Sequence, residues 1–187
     1  MPLTQVQGGM ILPSTTLTTP IVATTMGVGG ATAAASGAGI TFPATASAST
    51  NANTLDDYEE GTWTPALLNA TSYQTRLARY TKIGNLVYAY CNIQCVFNNT
   101  GSAGQQITGL PFVIEDVSND LYPLGNIFQV VGWNQSTMNI AVQGTPNDTR
   151  IVLYSISPST SNNYINIVPT TFGTTVVFEM SIVYRAA

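Results

Sequence analysis

The chain contains no histidine and has few charged residues of either sign. Its 187 residues include five Lys and Arg and nine Asp and Glu, so charged side chains make up 7% of the sequence. The absence of histidine excludes a catalytic triad or a metal site that uses imidazole. A total of five basic residues and a net charge of −4 argue against a nucleic-acid partner. A surface this poor in charge is typical of chains that hide area in an oligomer.

Cysteine is almost as scarce, with Cys91 and Cys95 the two thiols of the chain. Both lie in a segment that alternates like a strand, where four residues separate α-carbons by about 13 Å. A disulfide requires a much shorter separation, so the sequence predicts two buried free thiols. Two thiols without histidine make a metal site improbable, and we expect no cofactor.

No targeting or membrane-spanning segment is visible. Met1 is followed by Pro2 and Leu3 rather than by a basic region, so no signal peptide is indicated. Residues 21–42 are uncharged but consist mostly of Thr, Gly, Ala and Ser, which are too polar for a membrane helix. We expect synthesis in a cytoplasm and no membrane insertion.

Composition divides the chain into two regions. Residues 1–55 carry no charged side chain and are rich in Thr, Ala and Gly, with short β-prone pieces between prolines and glycines. Alone, such a segment cannot bury enough apolar surface to offset its chain entropy. We interpret it as an extended attachment and oligomerisation arm that becomes ordered against other chains; disorder is the alternative.

Residues 56–187 have the pattern of an all-β domain. In "NLVYAYCNIQCVF" every second residue from Val87 to Phe97 is apolar, and "TTVVFEMSIVYR" alternates in the same way. Turn clusters such as "NNTGSAG" and "SPSTSNN" separate the strand-like runs. The prediction is an antiparallel β-sandwich, jelly-roll-like, with seven to nine strands and no helix.

A cluster of acids stands where the two regions meet. Asp56, Asp57, Glu59 and Glu60 fall within five positions, in "LDDYEEGTWTP". A pair of carboxylates is what glycoside cleavage requires, and Glu115, Asp116 and Asp120 form a second candidate group. Oxygen-rich loops also suit calcium, although the spacing of a known calcium loop is missing here.

A structural role for this cluster is the interpretation we favour. We predict ion pairs from Glu59 or Glu60 to one of the nearby bases, which are Arg76, Arg79 and Lys82, within a chain or across chains. Gly61 would permit a sharp turn, and Trp63 with Pro65 would anchor the first strand. The sequence therefore predicts no catalytic residue at this junction.

Aromatic residues supply a second set of candidates. Tyrosine and tryptophan beside Asn and Gln on a β-scaffold are suited to contact a glycan or a protein, and they also occur at subunit interfaces. The candidate ligand or interface residues are Tyr88, Tyr90, Tyr122, Trp133, Tyr154 and Tyr164.

Four blocks of sequence resemble tail-fibre and related virion proteins of bacteriophages. The first, "GITFPATASASTNANTLDDYEEGTWTPAL", contains the specific "LDDYEEGTWTP" motif. The others are "RYTKIGNLVYAYCNIQ", "ITGLPF" and the closing "FEMSIVYR", so the resemblance extends over residues 38–185.

The resemblance implies a non-enzymatic structural protein of the virion. It also implies that the protein forms a homotrimer. We expect a short tail fibre or receptor-binding tip that residues 1–55 anchor to another phage structural protein. Its β-domain would be presented to a host surface glycan or protein. A head fibre, capsid decoration or connector without a receptor role is one alternative, and a glycan depolymerase is the other.

Overall fold

The computed structural model describes residues 25–45, 49–51, 53–98, 100, 104–116, 122–133, 140–156, 164–167 and 172–187. The chain divides into two compact units, Met1–Thr45 and Ala46–Ala187. In the first unit, strands β1 (Thr25–Gly27) and β2 (Gly39–Thr41) pair in parallel. The change in composition at Asp56 lies within the second unit.

The described part of the second unit consists of strands and their connections, without a helix, so the expected all-β class is confirmed. Its strands are β3 (Tyr58–Thr62), β4 (Ala66–Leu67), β5 (Ala70–Ile83), β6 (Leu86–Phe97), β7 (Gln106–Thr108), β8 (Leu124–Trp133), β9 (Ile140–Gly144), β10 (Arg150–Ile156), β11 (Tyr164–Asn166) and β12 (Phe172–Arg185). These ten exceed the seven to nine expected. The short strands β4, β7 and β11 are the reason, since two or three residues carry no readable alternation.

One antiparallel sheet contains all ten strands. Its order is β3-β5-β6-β12-β8-β9-β10-β7-β4, and β11 pairs with β10. The two ends of this path, β3 and β4, are separated in the chain by residues 63–65 alone. The sheet therefore curls until both of its ends meet in one short segment. The residues on its inner face form one core cluster.

The long central strands β6 and β12 supply much of that core. Their register places Cys91 opposite Met180 and Ile93 opposite Phe178, and all four side chains are buried. The alternation expected in both strands is confirmed, as are the two buried free thiols. Burial raises the pKa of Cys91 to about 12 and that of Cys95 to about 11. Both thiols therefore stay protonated near neutral pH.

The described residues contain no helix that is long and apolar enough to cross a membrane.

Candidate functional site

The "LDDYEEGTWTP" motif lies at the closure of the curled sheet. Residues 57–67, which we call the closing segment, pair through β3 with β5 and through β4 with β7. Between these strands the closing segment passes Gly109, whose φ is +92°. A Cβ at Gly109 would lie 2.5 Å from the Thr64 carbonyl oxygen, so only glycine allows this approach.

Trp63 occupies the point where the closing segment leaves β3. Its side chain is buried, and its indole N–H donates to the carbonyl oxygens of Arg79 (3.3 Å) and Tyr90 (3.2 Å). These two carbonyls belong to paired residues of β5 and β6. The tryptophan thus packs into the core while its polar atom joins the closing segment to two strands.

Gly61 does not form the sharp turn that we expected. It lies inside β3, directly opposite Tyr80 of β5. A Cβ at Gly61 would lie 2.7 Å from the ring atom Cε1 and from the hydroxyl oxygen of Tyr80. The Tyr80 ring therefore packs over Gly61 and fills the space that a side chain would occupy there. This cross-strand packing compensates for the missing side chain of the glycine.

Lys82 forms its ion pair with Asp57, not with Glu59 or Glu60 as we predicted. Both partners are buried, with about a tenth of each side chain exposed. Among the described residues, no ion pair joins Glu59 or Glu60 to a basic side chain. The backbone carbonyl of Asp57 also accepts from the Gly84 N–H at 2.9 Å, which joins the motif to the "KIGN" turn.

The two glutamates of β3 face opposite sides of the sheet and accept hydrogen bonds from different tyrosines. Glu59 faces the same side as Gly61 and accepts a hydrogen bond from the Tyr80 hydroxyl. Glu60 faces the opposite side and accepts from Tyr58. The hydrogen bond to Glu59 is the main cause that raises the pKa of Tyr80 to about 12, and the bond to Glu60 raises the pKa of Tyr58.

The remaining members of the predicted junction lie further out. The carboxylate of Asp56 accepts from the Ser49 N–H at 2.6 Å. Arg76 is exposed, and its guanidinium carbon lies 3.7 Å from the centroid of the Tyr73 ring. Arg79 is exposed as well. Neither arginine pairs with an acid among the described residues, so the predicted group of three bases contributes Lys82 alone.

Phe112 of the "ITGLPF" block completes the cluster around Lys82. Its ring centroid lies 5.4 Å from the Lys82 ammonium and 5.3 Å from the Tyr80 ring, edge to face. The Phe112 N–H donates to the Tyr184 hydroxyl at 3.3 Å. Burial, the largest cause, raises the pKa of Tyr184, whose phenol stays protonated as the acceptor of this bond.

The second acidic group is also engaged in structural contacts. The guanidinium of Arg185 donates to Glu115 at 2.6 Å, and the Asn147 amide donates to Asp116 at 2.6 Å. Asp120 lies outside the described residues. Within the described ranges, no three His, Cys, Asp or Glu residues come together as a metal-ligand set.

The aromatic candidates do not form one site. Tyr88 is exposed on β6, while Tyr90 donates from the same face to Glu179 at 2.6 Å. That bond is the main cause that raises the pKa of Tyr90. Tyr122 and Tyr154 lie together in a groove. Trp133 is in β8 and Tyr164 in β11, but their side chains lie outside what the structure describes.

The groove around Tyr122 and Tyr154 has a volume of about 450 Å³ and lies over β10. We call it the β10 groove. Its lining residues are Gly104, Gln106, Tyr122, Gln143, Thr145, Arg150, Val152 and Tyr154. Sequence reasoning identified the two tyrosines and missed the amides and the arginine. The alternation of Arg150, Val152 and Tyr154 in "RIVLYSI" was the available signal for the floor of the groove.

No protein-family model, no curated protein and no solved structure matches this chain.

Proposed function

We propose that the chain is a non-enzymatic structural protein of a bacteriophage virion, a short trimeric tail fibre or receptor-binding tip. One observation carries the proposal. The four blocks that resemble phage virion proteins are separate in sequence, and residues 57–67 of the first block meet the other three around the closure of the sheet.

Direct contacts connect the blocks in turn. Asp57 of the first block pairs with Lys82 of the second, and Lys82 lies against Phe112 of the third. Phe112 in turn donates to Tyr184, which belongs to the closing strand. Blocks that resembled another family by chance would have no reason to share one packing unit, so this convergence supports a common origin for all four.

The acids of the motif have structural partners, which supports a non-enzymatic role. Glu59 and Glu60 accept from tyrosines, and Glu115 pairs with Arg185. A general acid or a nucleophile for glycoside cleavage needs its carboxyl group available to the substrate. The depolymerase alternative requires these same carboxylates and is therefore the weaker reading.

The arm and the surface of the domain support an assembled virion protein. Residues 1–55, without charge, suit attachment to another phage structural protein and to neighbouring copies. The outer face of the domain exposes large apolar side chains on β8, which suits contact between copies in a homotrimer.

Purified particles of the phage that encodes the chain provide the test. We expect mass spectrometry to detect the chain in them and antibody labelling to place it on the tail. Particles that lack the gene should adsorb poorly to host cells, and deletion of residues 1–55 should abolish incorporation. Absence of the chain from the particles would refute the proposal.

Two other outcomes would redirect it. Labelling on the head together with normal adsorption of the deletion particles would favour a head fibre, decoration or connector. Release of sugar from host polysaccharide by the purified chain, lost in Glu59→Gln or Glu115→Gln, would favour a depolymerase. A matched control for these substitutions is Glu179→Gln, whose carboxylate binds Tyr90 on the outer face of β12.

A further inference from the structure

We propose that the β10 groove binds one uncharged pyranose sugar of a glycan, held between the amides of Gln106 and Gln143. This inference deepens the proposed function, because it assigns a receptor class and a contact surface to the β-domain. Its chemistry rests on the groove itself.

The pairing of β10 sets the geometry. Val152 lies opposite Gln106 of β7 on one side and opposite Gln143 of β9 on the other. Neighbouring strands are about 4.8 Å apart, so the two glutamines flank Val152 about 10 Å from each other. Ile151 and Leu153 point inward and are fully buried, which turns Val152 and its neighbours at i±2 outward.

The rows along β10 add different groups at the two ends of this floor. Arg150 and Tyr154 each lie two residues from Val152, a step of about 6.7 Å along the strand. The floor thus presents a guanidinium at one end, an aliphatic side chain in the middle and a phenol at the other end. Tyr122 forms a further wall.

This arrangement matches the two kinds of surface that a pyranose offers. A sugar hydroxyl both donates and accepts hydrogen bonds, and the glutamine amide is a side chain that does the same. The C–H face of the ring is apolar and suits Val152 or the face of a tyrosine. Two amides about 10 Å apart leave room between them for one ring.

The charges of the groove favour an uncharged sugar. The Arg150 Nε lies 3.0 Å from a carboxylate oxygen of Asp148, and each side chain is somewhat more than a third exposed. Arg150 lines the groove, and its guanidinium can donate to a sugar hydroxyl. An acidic ligand would meet a cation whose charge Asp148 already balances.

The volume of the groove and the pairing of β10 on both sides favour a small ligand over a peptide strand. The volume of about 450 Å³ is within the range of small-molecule sites. β10 has partners on both sides, β9 on one and β7 with β11 on the other. A peptide could not add a strand there, because the backbone groups of β10 are already paired.

The test uses the full chain and four probes, the methyl glycosides of glucose, galactose, mannose and N-acetylglucosamine. Saturation-transfer NMR and isotherms from chemical-shift titration should show saturable binding of at least one of them. Gln143→Ala and Arg150→Ala should weaken that binding about tenfold, the effect of one lost hydrogen bond in a site of this kind.

Matched control variants come from another part of the outer face. Gln94→Ala on β6 and Gln74→Ala on β5 should bind as the unsubstituted chain does, whereas Tyr154→Ala should bind less tightly. Circular dichroism and melting temperature of each variant would show that a loss of binding is not a loss of folding.

Three results would overturn the inference. One is the lack of saturable binding to all four glycosides. Another is binding of methyl glucuronide in their place, which would indicate an acidic ligand. The third is equal weakening by Gln94→Ala. If sugar binding fails while the chain is found in virions, this inference fails alone; if sugar binds and virions lack the chain, the proposed function fails alone.

Discussion

Lys82 is 8% exposed and lies between the Asp57 carboxylate and the ring of Phe112. A charge removed from water in this way is tolerated because its partner is held beside it. Loss of one member leaves the other charge buried and unpaired, and this costs more than replacing both by apolar groups. The pair therefore makes the closure sensitive to single substitutions.

Lys82→Met is expected to lower the free energy of unfolding by about 3 kcal/mol, because it leaves Asp57 buried without a partner. The double variant with Asp57→Leu should lose less than the sum of the two single changes. Arg185→Met is the control, since Arg185 and Glu115 form an exposed pair whose loss costs less than about 1 kcal/mol. Urea unfolding followed by tryptophan fluorescence measures the free energy of unfolding of the two single variants, the double variant and the control. Additive losses would contradict the coupling.

Tyr80 gives the domain a specific response to alkaline pH. Its pKa in the folded state is raised from 10.0 to about 12, chiefly by its hydrogen bond to Glu59. The folded chain therefore holds this proton after the unfolded chain has released it. The stabilisation is complete below pH 10 and is lost as the pH rises towards 12. Cys91 and Cys95 act in the same direction from pH 9 upward.

The measurement is the free energy of unfolding at several alkaline pH values. We expect it to fall between pH 10 and 12. In Tyr80→Phe the decrease should be less steep, because unfolding of that variant releases up to one proton fewer per molecule. The parts due to the two cysteines and to the other tyrosines with a raised pKa, which are Tyr58, Tyr90 and Tyr184, should remain in that variant. Identical slopes in both proteins would mean that Tyr80 does not titrate with folding.

At the scale of strands, the closing segment depends on the fit between Gly61 and Tyr80. Glycine in a sequence indicates a turn, a bulge or a close approach, and these cannot be distinguished without knowing the neighbouring strand. That is why a turn at Gly61 was a reasonable expectation and a wrong one. The tyrosine that covers it lies 19 positions further along, in β5.

Gly61→Ala is expected to destabilise the domain by about 1–3 kcal/mol, because the new methyl group overlaps the Tyr80 ring. In a Tyr80→Ala background the overlap is gone, and alanine is then the better strand residue. The same change should become neutral or stabilising there. Chemical denaturation of the four proteins in this cycle measures the coupling. A similar loss in both backgrounds would show that backbone strain, not the ring, makes glycine necessary.

Strands in which apolar and polar residues alternate could be predicted from the sequence. Strands too short to show this alternation could not. β6 and β12 alternate over their whole length, so period two was sufficient. The ion pair required more. The acids and the bases of the junction were visible, but Lys82 pairs with Asp57, which precedes β3, although the register of β3 on β5 places Glu59 opposite Lys82.

The β10 groove shows the same limit. Gln106, Gln143 and Arg150 belong to three different strands and become neighbours because β10 pairs on both sides. Tyr154 was a candidate because tyrosine is recognisable as a ligand-contacting residue wherever it stands. Glutamine has no such signal. A binding surface built across strands therefore becomes visible with the topology.

At the scale of the whole molecule, the outer face of the β-domain is apolar over β8 and its neighbours. We call this surface the outer patch. The residues that define it are Leu124, Phe128, Val131, Val183 and Tyr88. Val183 pairs with Tyr88 across β12 and β6, and Val177 with Val131 across β12 and β8, so these exposed apolar residues lie on three strands, with Glu179 and Ser181 between the two pairs along β12. Large exposed apolar patches are uncommon on monomers and mark contact surfaces.

The outer patch provides the test of the proposed homotrimer. Phe128→Lys combined with Val131→Lys places two charges on the patch at some distance from Gln143, which is paired with Leu124 at the other end of β8. We expect the double variant to sediment as a monomer at concentrations where the unsubstituted chain sediments as a trimer, because buried unpaired lysines oppose association. The control for the added charge is Thr71→Lys combined with Gln74→Lys. These substitutions add the same two charges to exposed positions of β5 and should leave the mass of the sedimenting species unchanged.

Sedimentation velocity over a range of concentrations distinguishes the possible outcomes. A trimer that persists in the Phe128→Lys, Val131→Lys variant would place the subunit contact elsewhere, and a monomer for the unsubstituted chain at every concentration would contradict the homotrimer itself. Sugar titration of the monomeric variant separates the two surfaces. Because every residue assigned to the β10 groove belongs to one chain, the variant should keep its affinity for the sugar, and a loss of affinity with the loss of the trimer would mean that a second copy completes the groove.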